Sequence, residues 1–410
     1  MYIAIFITII TVLIIEFGLD RYLAILNIRN SSKPLPFVLH GVYDAGKYIR
    51  QQEYFRTNAR FGAITSTFSF VIVLLMYLLQ GFGWVDSFIF QFTDNNILQT
   101  LFFFGILMWI NNLLFIPFDW YQTFVVEEKF GFNKVTPGIF ITDRLKSWLL
   151  GALFGGGILT LILLIYNLTP VYFWLLAFSS VTFISLITTM FYSELIVPLF
   201  NKQTPLPQGP LRDAIEQFAD KVDFKLKNIY IIDGSKRSTK ANAYFSGIGP
   251  KKRIVLFDTL ISQLDTEEIV AVLAHEIGHF KHKHIMKNVL FTLPFNLLLF
   301  YLLGLILQSD ILAQVMGGKN ASFHLNAIAF FTLYTPISTV LDLAGNQLSR
   351  KYEFQADAFA AKYGYAEALI SGLKKLSSQS LSNLMPHPLY VFFNYSHPTL
   401  FQRILRIKSP

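Results

Sequence analysis

Seven stretches of this chain are long and apolar enough to cross a lipid bilayer, at about 2–19, 61–81, 97–118, 147–167, 172–199, 286–308 and 324–345. Each is near the ~20 residues that a helix needs to cover ~30 Å of hydrocarbon. Composition points the same way. Hydrophobic residues make up 53% and charged residues 15%, and mean hydropathy is +0.47. A soluble fold with so little charge would struggle to cover its surface, so the bilayer is the natural solvent. The 42 Phe and 19 Tyr exclude a disordered or fibrous chain. Only Met1 precedes the first stretch, with no basic region before it and no small-residue cleavage site after it. It therefore reads as a retained helix and not as a cleaved signal peptide. The chain has no cysteine, which excludes disulfides, thiolate nucleophiles, iron–sulfur clusters and cysteine-bound zinc.

The net charge of +8 bears on topology before nucleic acid, because lysine and arginine sort by loop. Segments 20–60, 119–146, 200–285 and 346–410 hold 32 of the 34 basic residues. Segments 82–96 and 168–171 hold none, and 309–323 holds only Lys319. Short loops carry most weight in the positive-inside rule, and the two short basic ones hold eleven. The expected topology has the N-terminus outside and the C-terminus in the cytoplasm, as an odd number of spans requires.

The expected fold is mostly α: seven transmembrane helices with a cytoplasmic domain that carries a small β-sheet. It divides into 1–199, a membrane region with five spans; 200–285, a sheet and a motif helix; 286–345, spans six and seven; and 346–410, a helical C-terminal region. Within 200–285, Pro205–Pro210 reads as a linker and 211–222 as an amphipathic helix. Asn228–Asp233, Ala241–Ser246 and Lys252–Phe257 read as strands, with Gly247–Pro250 as the turn between the last two. Asp265-Thr266-Glu267-Glu268 reads as a capping box, which opens a helix running to about His284.

That helix carries His275-Glu276-Ile277-Gly278-His279. Two histidines at i and i+4 share one helix face, so both imidazoles can bind one metal at ~2.0–2.1 Å. Glu276, beside the first of them, can reach a water held there and act as general base. A third ligand is found by elimination. The metzincin extension needs Gly at 282 and His at 285, but the chain has His282 and Ile285. A later Glu is the other common choice, and only Glu353 and Glu367 follow His279. Glu353 has Asp357 four residues on, on the same helix face. Asp357 can accept a hydrogen bond from the free ring N–H of a ligand histidine. Glu367 has no such partner.

These motifs together resemble the type I CAAX prenyl endopeptidases, integral-membrane zinc metalloproteases of the gluzincin class. The resemblance rests on the run from Glu267 through His279 and on Ser349-Arg350-x-x-Glu353-x-x-Ala356-Asp357. It rests also on Asn242-Ala243-Tyr244-Phe245, on Thr123 through Asn133, and on Ser396-His397-Pro398-Thr399 with Arg403. It covers nearly the whole chain. It implies seven helices around a large water-filled chamber, with one zinc ion per chain facing it, and removal of the last three residues of prenylated CAAX proteins. It implies that His275, His279 and Glu353 are zinc ligands and Glu276 the base. It further implies that His397 donates to the oxyanion, that Arg403 supports the site, and that Asn242 and Ala243 lie on the strand receiving the peptide. The expected partners are a peptide or protein substrate, prenylated or not, and the lipid bilayer, with no nucleic acid and a monomeric state. Chain length and the lack of an endoplasmic-reticulum retrieval signal favour a bacterial inner membrane; a eukaryotic member would sit in the endoplasmic reticulum.

Other readings compete. A site-two-type intramembrane protease carries the same motif inside a span, whereas here acidic and Lys-His-Lys-His flanks put the motif helix outside one. A shorter stress-response membrane zinc protease would lack the region 20–146. A quality-control metalloprotease of broad specificity and a non-catalytic scaffold for lipidated proteins also remain, although intact Glu276 argues against the scaffold. His282 and His284, between lysines, read as a solvated boundary. His40, His324 and His387 read as structural. Glu127-Glu128-Lys129 reads as an interfacial ion-pair loop, against a role in gating the chamber.

Overall fold

The computed structural model describes residues 1–224, 229–246 and 253–409. Seven helices in it are long and apolar enough to span: Tyr2–Asn30, Ala45–Leu78, Asn96–Glu127, Pro137–Leu168, Pro170–Phe200, His284–Ile306 and Phe323–Lys362. Five contain one of the apolar stretches whole, the second and sixth end two or three residues short of it, and most run well beyond it at the other end. A helix does not stop where the lipid stops, because its backbone bonds are made within the segment on either side of that boundary. The seventh is the extreme case. Its 40 residues measure about 60 Å at 1.5 Å per residue, roughly twice the hydrocarbon thickness. Its polar C-terminal part, with Glu353 and Asp357, therefore projects beyond the apolar part.

The basic loops gather at one end of the helices. Asn30, at the end of the first span, donates to the carbonyl of Met385 at 3.0 Å. Arg50 donates to the Phe130 carbonyl at 2.8 Å. The loops poor in lysine and arginine meet at the other end. There His324 hydrogen-bonds Asp86 at 2.6 Å and Thr100 at 3.2 Å, all three buried. His324 is structural, as expected.

A solid seven-helix bundle would bury an inward stripe on every helix. Here the most apolar window of five of the seven spans is only 6% buried. Most side chains along these spans stay partly accessible, and the interior is not solidly packed. A cavity of about 760 Å³ lies between the first three spans, with Glu16, Asp20, Arg21 and Asp119 among its lining.

Four strands form one sheet in the order β1-β2-β4-β3: β1 (Gln203–Pro205), β2 (Ile229–Ile232), β3 (Ala243–Ser246) and β4 (Arg253–Phe257). β1 and β2 are antiparallel, β2 and β4 parallel, and β3 and β4 antiparallel. Three strands match expectation, except that Asn228, Lys252 and the Gly247–Pro250 turn lie outside the described residues. β1 was not foreseen; the proline-rich stretch it opens reads as a linker, yet Thr204 pairs with Ile231. β3 sits at the sheet edge, with no further strand beside it among the described residues. Ile254 and Leu256 of β4 and Ile269, Leu273 and Ile277 of the motif helix pack in one core and are all at most 3% exposed. This core fixes the sheet against the helix that carries the histidines.

Candidate active site

The motif helix spans Thr266–Lys281 and starts with both bonds of a capping box. The Asp265 side chain accepts from the Glu268 N–H, and the Glu268 side chain accepts from the Asp265 N–H, each at 3.0 Å. Ser371 donates to the other oxygen of Glu268 at 2.6 Å, tying the helix start to the helix Ala366–Gln379. The helix ends earlier than expected. Lys283 takes a left-handed φ of 56°, which breaks the chain direction before the sixth span. Near the other end of the motif, Gly278 lets two helices approach closely. A Cβ there would lie 3.0 Å from the Ala356 Cα and 3.1 Å from the Phe359 Cβ. That approach brings the histidine face within reach of Glu353.

His275, His279 and Glu353 converge. His275 Nε2 lies 3.1 Å from His279 Nε2, His279 Nε2 lies 3.2 Å from Glu353 Oε1, and His275 Nε2 lies 3.4 Å from Glu353 Oε2. Ligand atoms ~2.0–2.1 Å from one tetrahedral centre sit roughly 3.3 Å apart, so these spacings fit a metal. Glu353 Oε2 is buried without a hydrogen-bond partner, which a cation would supply. Among the described residues this is the one cluster of His, Asp and Glu groups that could hold a metal. Glu367 is exposed at the start of its own helix and takes no part.

The free ring nitrogens are also held. His275 Nδ1 lies 2.9 Å from Asp357 Oδ1. Asp357 is 1% exposed. It accepts from Arg403 Nε at 2.9 Å and Nη2 at 2.6 Å, a bidentate pair. Burial works against a charge on His275, but the carboxylates of Asp357 and Glu353 beside it outweigh it and push its pKa up to about 9. The pocket thus favours positive charge where a metal would sit.

The remaining site residues fall around this centre. His397 Nε2 lies 3.4 Å from Glu353 Oε1, while its ring stays mostly exposed. Its Nδ1 is 3.0 Å from the Ser396 hydroxyl. Glu276 is half-buried and packs beside Ala243, Tyr244, Ile254 and Leu256 of the sheet. Base and edge strand therefore lie side by side. Asn242 stands just before β3, where its carbonyl accepts from the Phe257 N–H at 3.1 Å and its side chain accepts from the Ala243 N–H at 2.9 Å.

One sequence reading needs revision. His282 is exposed, as a boundary residue should be, but His284 is 2% exposed and lies within hydrogen-bond reach of His279. The left-handed Lys283 turns it inward, a conformation that lysine content does not reveal. The Glu127–Lys129 stretch makes ion pairs, as read from the sequence, in two different settings. Lys129 makes an exposed pair with Glu53. Glu127 instead accepts from Lys240 at 2.9 Å and Tyr54 at 2.6 Å, anchoring the chain two residues before Asn242.

With this geometry in view, comparison with known proteins is informative. The family profile described as "CAAX prenyl protease N-terminal, five membrane helices" matches residues 24–202. "Peptidase family M48" matches residues 205–410. The chain belongs to the CAAX prenyl proteases of peptidase family M48. It is a multi-pass membrane metalloendopeptidase. CAAX prenyl protease 1 of Saccharomyces cerevisiae is 35% identical over 419 residues, which cover 95% of this chain and 92% of that one. The Homo sapiens homologue is 34% identical over 355 residues, covering 77% and 75%. The crystal structure of S. mikatae Ste24p superposes with a TM-score of 0.92 at 34% identity and covers 98% of both chains. These relatives are eukaryotic, and the two yeast proteins match nearly end to end, so the length argument for a bacterial source finds no support.

Proposed function

We propose that this member of the family is a zinc endopeptidase that cuts near the C-terminus of CAAX-type substrates, releasing the last three residues. The observation that carries this reading is the convergence of His275, His279 and Glu353 beside Glu276, with the edge strand β3 packed next to that base. Zinc held by those three side chains would polarise the scissile carbonyl and lower the pKa of water toward ~7. Glu276 takes the proton of the attacking water and later returns it to the leaving amine. His397 donates to the carbonyl oxygen as negative charge grows on it. Arg403 and Asp357 hold His275 with its proton on Nδ1, leaving Nε2 free to ligate. The edge of β3 after Asn242 offers backbone groups to an extended peptide, which fixes register with little demand on sequence.

The open space among the spans suits a lipidated substrate, whose prenyl chain needs an apolar wall beside a polar scissile bond. In the reading favoured here, the sheet, active site and C-terminus face the cytoplasm, and the four stretches described from the sequence are the working divisions of the chain. The test is cleavage of a farnesylated CAAX peptide and its unlipidated twin by purified protein, with and without chelator. Chelator-sensitive release of the C-terminal tripeptide from the farnesylated form supports the proposal. Equal cutting of both forms at many bonds would favour a quality-control protease of broad specificity.

A further inference from the structure

The structure holds the two ligand histidines by different means. His275 leans on the Asp357 carboxylate, whereas His279 leans on another imidazole. His279 Nδ1 lies 2.9 Å from His284 Nδ1, and His284 Nε2 lies 2.9 Å from Gln355 Oε1. The His284 ring is buried and stacked on Tyr352, with centroids 4.1 Å apart and planes 14° from parallel. It cannot turn away without losing that face.

Two ring nitrogens facing each other at 2.9 Å share one proton, so the hydrogen-bond direction is set by what lies at the ends of the row. A carbonyl oxygen only accepts. With Gln355 Oε1 at one end, His284 carries its proton on Nε2 and presents a bare Nδ1. His279 must then carry its proton on Nδ1, which leaves Nε2 free at the point where it meets His275 and Glu353. The opposite direction, with the Gln355 amide donating, would put the proton on His279 Nε2 and block ligation. Only one arrangement of the row is compatible with a ligand histidine.

We propose that His284 and Gln355 are positioning residues that fix the tautomer of His279, so that Gln355 governs metal affinity from two hydrogen bonds away. This rests on the reading of His279 as a ligand. One helix then orients both histidines, since Glu353, Gln355 and Asp357 alternate along the seventh span with Tyr352 as the platform. The left-handed turn at Lys283 is what folds His284 back into the row. A lysine in such a conformation is strained and persists where the surroundings require it.

The test is zinc affinity, measured by competition with a chelating dye on protein purified in detergent. His284→Phe keeps a ring on Tyr352 but removes the acceptor, and Gln355→Leu removes the terminal carbonyl. Each is expected to weaken zinc ~10–100-fold, the usual loss when a ligand's outer partner is removed. Gln355→Glu, which still only accepts, should stay within a few-fold of the parent, about the scatter of such comparisons. Adding Gln355→Leu to His284→Phe should cost nothing more, because the row is already cut. Parent affinity in His284→Phe, or equal losses in Gln355→Glu and Gln355→Leu, would overturn the proposal. Gln355 is only half-buried, so its two variants decide the matter even if His284→Phe does not fold. Zinc retained by His279→Ala would bring down the ligand reading itself, and the row with it.

Discussion

His275 and Asp357 face each other across two helices, with Nδ1 and Oδ1 2.9 Å apart. Asp357 is at the same time clasped by Arg403 through two hydrogen bonds. One buried carboxylate therefore stands between a histidine of the candidate metal cluster and a guanidinium. Asp357→Ala should weaken zinc ~10–100-fold without abolishing binding. Equilibrium dialysis against buffered zinc checks this, and an unchanged affinity would remove Asp357 from the account.

His397 reaches Glu353 from the exposed side of the site. A donor aimed at the developing oxyanion meets full charge only after attack. His397→Ala should keep zinc and lower kcat by ~10²–10³, about 3–4 kcal/mol, with KM little changed. Steady-state kinetics on a farnesylated peptide separates this from a ligand role, in which zinc would be lost.

The third ligand is a choice between two glutamates. Glu353→Ala should lose stoichiometric zinc, and Glu367→Ala should not. Metal analysis of both variants settles it, because the reverse pattern is incompatible with the observed cluster.

The motif helix begins at the Asp265 cap. Its hydrogen bond from the Glu268 N–H, with help from Lys375, holds the Asp265 pKa below the usual carboxylate range. The cap's stabilisation is full above the ordinary carboxylate pKa of ~3.9 and is lost as pH falls through the lowered folded value. Asp265 is 61% exposed, so solvent screens the charge and the cap geometry carries most of the effect. Asp265→Ala should cost about 1 kcal/mol and Asp265→Asn much less. Thermal unfolding in detergent at pH 7 checks the difference.

Orientation is testable because the chain has no cysteine. A cysteine at exposed Lys236 should be labelled only from the cytoplasmic side, and one at exposed Lys319 only from the other. Outer-side labelling at Lys236 would reverse the topology.

The parts of this site legible in the sequence are those set by local rules. The capping box, the His275–His279 spacing and the Glu353–Asp357 spacing are each one helical turn, and a helix turns these spacings into geometry without help. The spans were legible because hydrocarbon demands apolar length. What escaped depends on distant contacts. β1 is three residues long and is a strand only because Ile231 lies beside Thr204. His284 looked solvated because its neighbours are lysines, and only the turn at Lys283 and the Tyr352 face bury it. The open interior escaped composition altogether, since apolar side chains facing a chamber and facing lipid look alike.

The central claim is that Glu276 moves the proton in metal-dependent hydrolysis at this site. Parent protein and Glu276→Gln, purified together, should be given one farnesylated CAAX peptide and followed by mass spectrometry, with zinc measured in the same samples. The account predicts equal zinc in both, release of the C-terminal tripeptide by the parent, and almost none by the variant. Cleavage by Glu276→Gln at the parent rate, with zinc unchanged, would contradict it.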